Sequence, residues 1–194
     1  NKRILLVNLA KGRIGEDKAN LLGSVLVTKL YLAALERQKI PEGSRKDFHL
    51  YIDEFQNFST DVFPSILSEA RKYRLDLILA HQYTYQLSEN VRHAVFGNVG
   101  TLVAFRIGSD DAQELATQFM PIFTGHDMER LENHHIYIKL MVDGQRSDPF
   151  SAETLPPSRK HGDEAPKDTL IAVSRERYTW SREEVEAKIE KWIS

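Results

Sequence analysis

Short apolar runs alternate along this chain with stretches of helical periodicity, and that alternation constrains its fold more than any other feature. Arg3-Ile4-Leu5-Leu6-Val7-Asn8, Phe48-His49-Leu50-Tyr51-Ile52, Leu75-Asp76-Leu77-Ile78-Leu79-Ala80 and residues 101–106 read as strands. Runs this apolar suit strands covered on both faces, as parallel sheets require. Between them, residues 16–38, 62–73, 88–96 and 109–119 read as helices, and Leu22, Leu26, Leu30, Ala33 and Ala34, widened by Leu21 and Val25, mark the expected buried stripe of the first. A β-α alternation of this kind predicts an α/β fold with a doubly wound, mainly parallel sheet. A short helix over 125–131 and a last strand over 135–142, turned by Asp143-Gly144, complete the expected sheet.

With 194 residues and 41% hydrophobic content, the chain can bury one ordinary core. Residues 1–150 are expected to form that domain. Residues 151–168, rich in charge and holding Pro156, Pro157, Gly162 and Pro166, read as a linker, and residues 169–194 as a helical tail. In the tail, Ser181-Arg182-Glu183-Glu184 has the form of a capping box, and Val185, Ile189, Trp192 and Ile193 share one face of the helix it opens.

The charge balance, 26 Lys+Arg against 28 Asp+Glu, gives no global basic field, so any nucleic-acid contact must be local. Lys11 and Arg13, flanking a glycine turn with Lys18, are candidates for such a contact, although short basic clusters are more often merely solvated. The chain has no cysteine, which removes disulfides, thiolate metal sites and a cysteine nucleophile. No Gly-x-Ser-x-Gly elbow supports a hydrolase triad. No segment reads as a membrane span or signal peptide. The adjacent His134-His135 would point to opposite faces of an extended segment and lack an acidic partner at ligand spacing, so a structural role is favoured over metal binding.

The chemistry-bearing pattern sits at the strand ends. The second run stops abruptly in Asp53-Glu54, and the third in His81-Gln82. Two carboxylates delivered by a buried strand suit Mg-nucleotide hydrolysis: the first holds Mg²⁺ or its waters, and the second polarises the attacking water. A neutral amide at the next strand end can donate to a phosphate and accept from that water. Taken alone, an acid pair ending a strand could equally face solvent or cap a turn.

Leu50-Tyr51-Ile52-Asp53-Glu54-Phe55, Ser68-Glu69-Ala70-Arg71-Lys72-Tyr73-Arg74-Leu75, Ala80-His81-Gln82, Gln86-Leu87 and Phe96-Gly97-Asn98-Val99-Gly100-Thr101 leading to Phe105-Arg106-Ile107-Gly108 together resemble the HerA/FtsK-type motor ATPases, in the branch of the plasmid-transfer coupling proteins and type IV secretion ATPases. The resemblance runs from about Arg3 to Phe119. It implies a RecA-like P-loop fold, ATP and Mg²⁺ as cofactors, a homo-hexameric ring with DNA in its channel, secretion or relaxase components as further partners, and work at the inner face of the bacterial cytoplasmic membrane. It assigns Asp53 as the Walker B metal-side acid, Glu54 as the catalytic glutamate, Gln82 as the sensor glutamine and Arg71 as the arginine finger, with Arg106 as the other candidate. Arg71 also reads as an ordinary cation at a helix C-terminus.

The chain departs from that family in one respect. Nothing in it fits G-x-x-x-x-G-K-[ST], the loop that cradles phosphates. The Walker A half is therefore expected to lie upstream, and these residues alone are expected to hydrolyse ATP poorly or not at all. Two other readings stay open: an inactive ATPase-fold binding module, and a motor for DNA end processing or genome packaging.

Overall fold

The computed structural model describes residues 4–157 and 167–193. The chain divides into two units, Asn1–Thr154 and Leu155–Ser194. The first is a mixed α/β unit containing α1 (Lys11–Ile14), α2 (Glu16–Leu35), β1 (Phe48–Ile52), α3 (Phe63–Glu69), β2 (Leu75–Leu79), α4 (Glu89–Asn98), β3 (Leu102–Ala104), α5 (Ser109–Phe119), α6 (Gly125–Glu129), β4 (His135–Lys139), β5 (Met141–Val142), β6 (Gln145–Arg146) and β7 (Phe150–Glu153).

β1 and β2 pair in parallel, with Phe48 opposite Leu75 and Ile52 opposite Leu79. α3 and the 3₁₀ turn Ala70–Tyr73 that follows it make the crossover, and Arg74, in the left-handed region at φ 56°, turns the chain into β2. On one face the sheet buries Ile52 and Leu75 in a cluster with Phe55, Phe63, Ile66, Leu87, Val91 and Val95. α2 closes that cluster through Val27, Tyr31 and Ala34.

Of the stripe expected on α2 only Ala34 is buried; the leucines are not the inward face. Ala19, Gly23, Val27, Tyr31 and Ala34 face inward, while Leu21 is 65% and Leu22 53% exposed. The helix is apolar nearly all round, so spacing could not choose a face; the choice falls to the face that permits close approach. Gly23 carries it, since a Cβ there would lie 2.2 Å from Phe58 Cδ1. The same all-round apolarity bears on the expectation about membrane spans without overturning it. The segment Glu16–Lys39 has the length and mean hydropathy, 1.2, of a spanning helix, as core helices of soluble proteins can also have.

Three other expectations change. No strand forms over residues 4–8, where Ile4 is 89% and Leu6 84% exposed: among the described residues no ladder partner meets this run, and an unpaired strand has no hydrogen bonds to hold it. β3 does not extend the parallel sheet. It pairs antiparallel with β4, Leu102 opposite Lys139 and Ala104 opposite Tyr137, in a separate sheet ordered β3-β4-β7. The sheet also continues past residue 142. Asp143 and Gly144, both at positive φ as a tight hairpin demands, reverse the chain through β5 and β6, and β7 then pairs with β4. Behind this sheet Ala112, Ala116, Phe119, Met128 and Tyr137 form a second cluster, with Phe123 stacked on Tyr137.

The second unit contains α7 (Lys167–Tyr178) and α8 (Arg182–Ile193), neither with a buried residue. The capping box at Ser181 forms: the Ser181 amide donates to Glu184 Oε2 at 2.9 Å and the Glu184 amide to Ser181 Oγ at 3.2 Å. Hydrogen bonds from the Ser181 amide first and its hydroxyl second hold the Glu184 carboxyl below its usual range. Val185, Ile189 and Trp192 line an apolar cleft with Trp180, over whose ring the Lys188 ammonium sits. α7 was not expected as a separate helix; of the proposed linker 151–168, residues 158–166 lie outside the described residues, and residues 151–153 belong to β7 instead.

Candidate functional site

The parallel ladder runs one step beyond its two strands. The Ala80 amide donates to the Ile52 carbonyl at 2.9 Å, and the Phe55 amide to the Ala80 carbonyl at 3.1 Å. These bonds bring the segments after β1 and β2 side by side. Phe55 is fully buried, stacked on Phe63 at 5.6 Å and met edge-on by the His81 ring at 5.1 Å. Two ring anchors thus fix the residues that precede Gln56 and Gln82. Burial pushes the His81 imidazole below its usual pKa, so it remains neutral beside the acids.

Glu54 occupies the left-handed region at φ 51° and ψ 45°, unusual for a residue with a Cβ, before the 3₁₀ turn Phe55–Asn57. Both its carboxylate oxygens are engaged. Gln82 Nε2 donates to Oε1 at 2.6 Å, and Gln56 Nε2 to Oε2 at 2.6 Å. Asp53, exposed, accepts the Glu54 amide on Oδ1 at 3.0 Å. Lys11 reaches the same place from α1, donating to Asn57 Oδ1 at 3.1 Å and to Glu16 at 2.6 Å. A crevice of about 390 Å³, lined among others by Lys11, Glu54, Gln56, Asn57, Gln82 and Tyr83, opens over this group.

The other candidates lie apart. Arg71 is in the 3₁₀ turn before β2, at the amino ends of the strands; five residues of strand, about 16 Å at ~3.3 Å each, separate that edge from Glu54. Arg71 and Arg106 are both exposed, and Arg13 lies on α1 without reaching the crevice lining. The His134 carbonyl accepts from the Thr154 amide and hydroxyl, and no cluster of three metal-ligating side chains occurs among the described residues.

Two features escaped the sequence reading. No motif singles out Gln56, although its i+2 position beside Glu54 in a tight turn places it within reach. Asp111, 6% exposed on α5, accepts from the Thr84 amide at 3.0 Å and from the Thr84 hydroxyl, and so tethers the loop that carries Gln82. No local pattern signals a partner so far away in sequence.

Residues 47–119 match the family model described as the TraM recognition site of TraD and TraG. No curated protein matches the chain. Among solved structures, the bacterial conjugative coupling protein TrwBdeltaN70 is similar with a TM-score of 0.54 and 13% identity, covering 69% of this chain and 37% of that one. The genome packaging NTPase B204 from Sulfolobus turreted icosahedral virus 2, in complex with ATP-gammaS, gives a TM-score of 0.45 at 19% identity, over 63% of this chain and 59% of that one. This chain therefore spans little more than a third of the coupling protein whose fold it shares. The motif residues and the fold agree: the chain resembles the downstream part of a coupling-protein ATPase.

Proposed function

We propose that this chain supplies the acid side of an ATP-hydrolysing, RecA-like motor that moves DNA during conjugative transfer. The observation that carries the reading is the bond between Glu54 and Gln82 at the carboxyl ends of adjacent parallel strands, the place where α/β sheets bind ligands. The sequence match over residues 47–119 supports the coupling-protein branch.

The residues present suit Mg-ATP in part. A single exposed carboxylate, Asp53, fits a cation that keeps most of its waters and takes its remaining ligands from phosphates. The phosphate-binding loop is not among the 194 residues, so the reading requires it from another segment or chain.

Bound Mg-ATP supplies an electrophilic phosphorus and the metal's charge. Asp53 holds the cation's water shell at the strand end. Glu54 accepts the proton of the attacking water as that water bonds to the γ-phosphorus and the bond to the ADP oxygen breaks. Gln82, hydrogen-bonded to Glu54, is placed to exchange that bond for one to the phosphate. Arg71, too far from its own Glu54, acts on the nucleotide of a neighbouring subunit, which calls for a ring, a homo-hexamer by the family resemblance. Lys11 and Arg13 contact phosphates of the DNA. The site works at the inner face of the cytoplasmic membrane.

The match to the TraM recognition site of TraD and TraG favours a second role for the same stretch, as a recognition surface for a TraM-type partner of the transfer machinery. The test of the main reading is ATP turnover by the full-length protein with and without DNA. Turnover that rises with DNA supports the motor; undetectable nucleotide binding and turnover in full-length protein would leave only the binding role.

A further inference from the structure

We infer that Arg45 is a positioning residue for Arg71, fixing the turn from which the Arg71 guanidinium reaches the nucleotide of a neighbouring subunit; this rests on the reading of Arg71 as an arginine finger.

The 3₁₀ turn Ala70–Tyr73 ends at Arg74, and the carbonyls at such an end lack partners within the helix. Two half-buried arginines from the connection between α2 and β1 take them. Arg45 Nη1 donates to the Lys72 carbonyl, and Arg37 Nη1 is shared between the carbonyls of Tyr73 at 2.8 Å and Arg74 at 3.0 Å. The Arg45 fork closes on its own segment as well. Its Nε donates to the Arg37 carbonyl at 3.1 Å and the Ile40 carbonyl at 2.9 Å, while its guanidinium carbon lies 5.8 Å from the centre of the Tyr73 ring. One guanidinium thus joins the connection before β1 to the one before β2.

Arg71 stands inside this fastening. Before it, Ala70 is buried and the Glu69 carboxylate accepts from the Tyr31 hydroxyl of α2 at 3.1 Å; after it, the Lys72 carbonyl is held by Arg45. The Arg71 carbonyl accepts the Arg74 amide at 3.1 Å, whereas its side chain is exposed, with no hydrogen bond or ion pair among the described residues. A group that acts across a subunit boundary must start from a fixed backbone, because a misplacement of about 1 Å can cost about 10²-fold in rate. Tyr31 and Ala70 belong to the core cluster and Arg45 does not, so losing Arg45 frees the turn without opening the core.

The experiment measures kcat and KM for ATP in the full-length protein for wild type, Arg45→Met, Arg71→Ala and the double variant, then in oligomers that mix each single variant with Glu54→Gln. Arg45→Met is expected to lower kcat about 10- to 100-fold with KM within about twofold, and to add nothing to the loss in Arg71→Ala. Mixed with Glu54→Gln, it is expected to regain part of its activity, as Arg71→Ala does. Mixing restores turnover only where the variant's own Glu54 crevice is intact and the neighbour brings a well-placed Arg71, so general damage to the fold gives no recovery. Arg45→Lys keeps the charge but not the fork, is expected to lie between wild type and Arg45→Met, and takes the same mixing test if Arg45→Met does not fold. With Arg71→Ala impaired and recovering in mixtures, wild-type kcat in both Arg45 variants, or a loss that mixing does not recover, overturns the positioning role and spares the finger reading. Arg71→Ala at wild-type turnover, or impaired without recovery, overturns both.

Discussion

Gln82 donates to Glu54 across 2.6 Å, joining the ends of two adjacent parallel strands whose residues lie 28 apart in sequence. The ladder bonds through Ala80 make the meeting unavoidable, and the tether from Asp111 to Thr84 holds the far side of the Gln82 loop. Geometry at the site is thus set by backbone pairing on one side and by a buried acid on the other.

The tether gives the first prediction. Asp111→Ala leaves the buried Thr84 amide without its acceptor and is expected to cost about 1–3 kcal/mol. Urea denaturation measures the loss directly.

Gly23→Ala places a methyl group inside the Phe58 ring. With α2 buried on that face, Phe58 must move or the helix must shift, at a cost of about 1–3 kcal/mol. Gly12→Ala, where nothing lies within 4 Å, is the control and is expected to leave the melting temperature within a degree or two or raise it.

Stability should depend on His81 through pH. Burial depresses its folded pKa below the ordinary value of 6.5, so the unfolded chain binds the proton more readily. Its contribution is complete above about 6.5 and is lost as pH falls from there toward the folded value. Melting temperatures from pH 8 to 5 should fall, and less steeply in His81→Gln after correction for its lower baseline.

Arg71 is exposed, and its removal should spare the fold while lowering turnover by about 10³-fold if it acts as a finger. Mixing Arg71→Ala with Glu54→Gln subunits should then recover part of the activity, because some interfaces pair an intact Glu54 with an intact Arg71. No recovery in mixed oligomers would place Arg71 outside the reaction.

The parallel pair was legible because β1 and β2 are nearly unbroken apolar runs that stop at polar residues, a pattern few other structures produce. α5 was legible for a similar reason: Asp110 and Asp111 open it, and Ala112, Ala116 and Phe119 recur on one face. The face of α2 was not, since leucines surround it and only the contact of Gly23 with Phe58 decides. Nor was the pairing of β3, because an apolar run announces a strand but says nothing of which neighbour it joins or in which direction. At the site, Asp53, Glu54 and Gln82 stood out as chemistry at strand ends, whereas Gln56 and Asp111 act through bonds that a linear reading does not display.

The most direct measurement is nucleotide binding and hydrolysis by full-length protein carrying Glu54→Gln, with DNA present and oligomeric state matched to wild type. The account predicts ATP binding within a few-fold of wild type and turnover reduced at least 10²-fold, since only proton acceptance from water is removed. Turnover at the wild-type rate would contradict it, and the bond between Glu54 and Gln82 would then be structural.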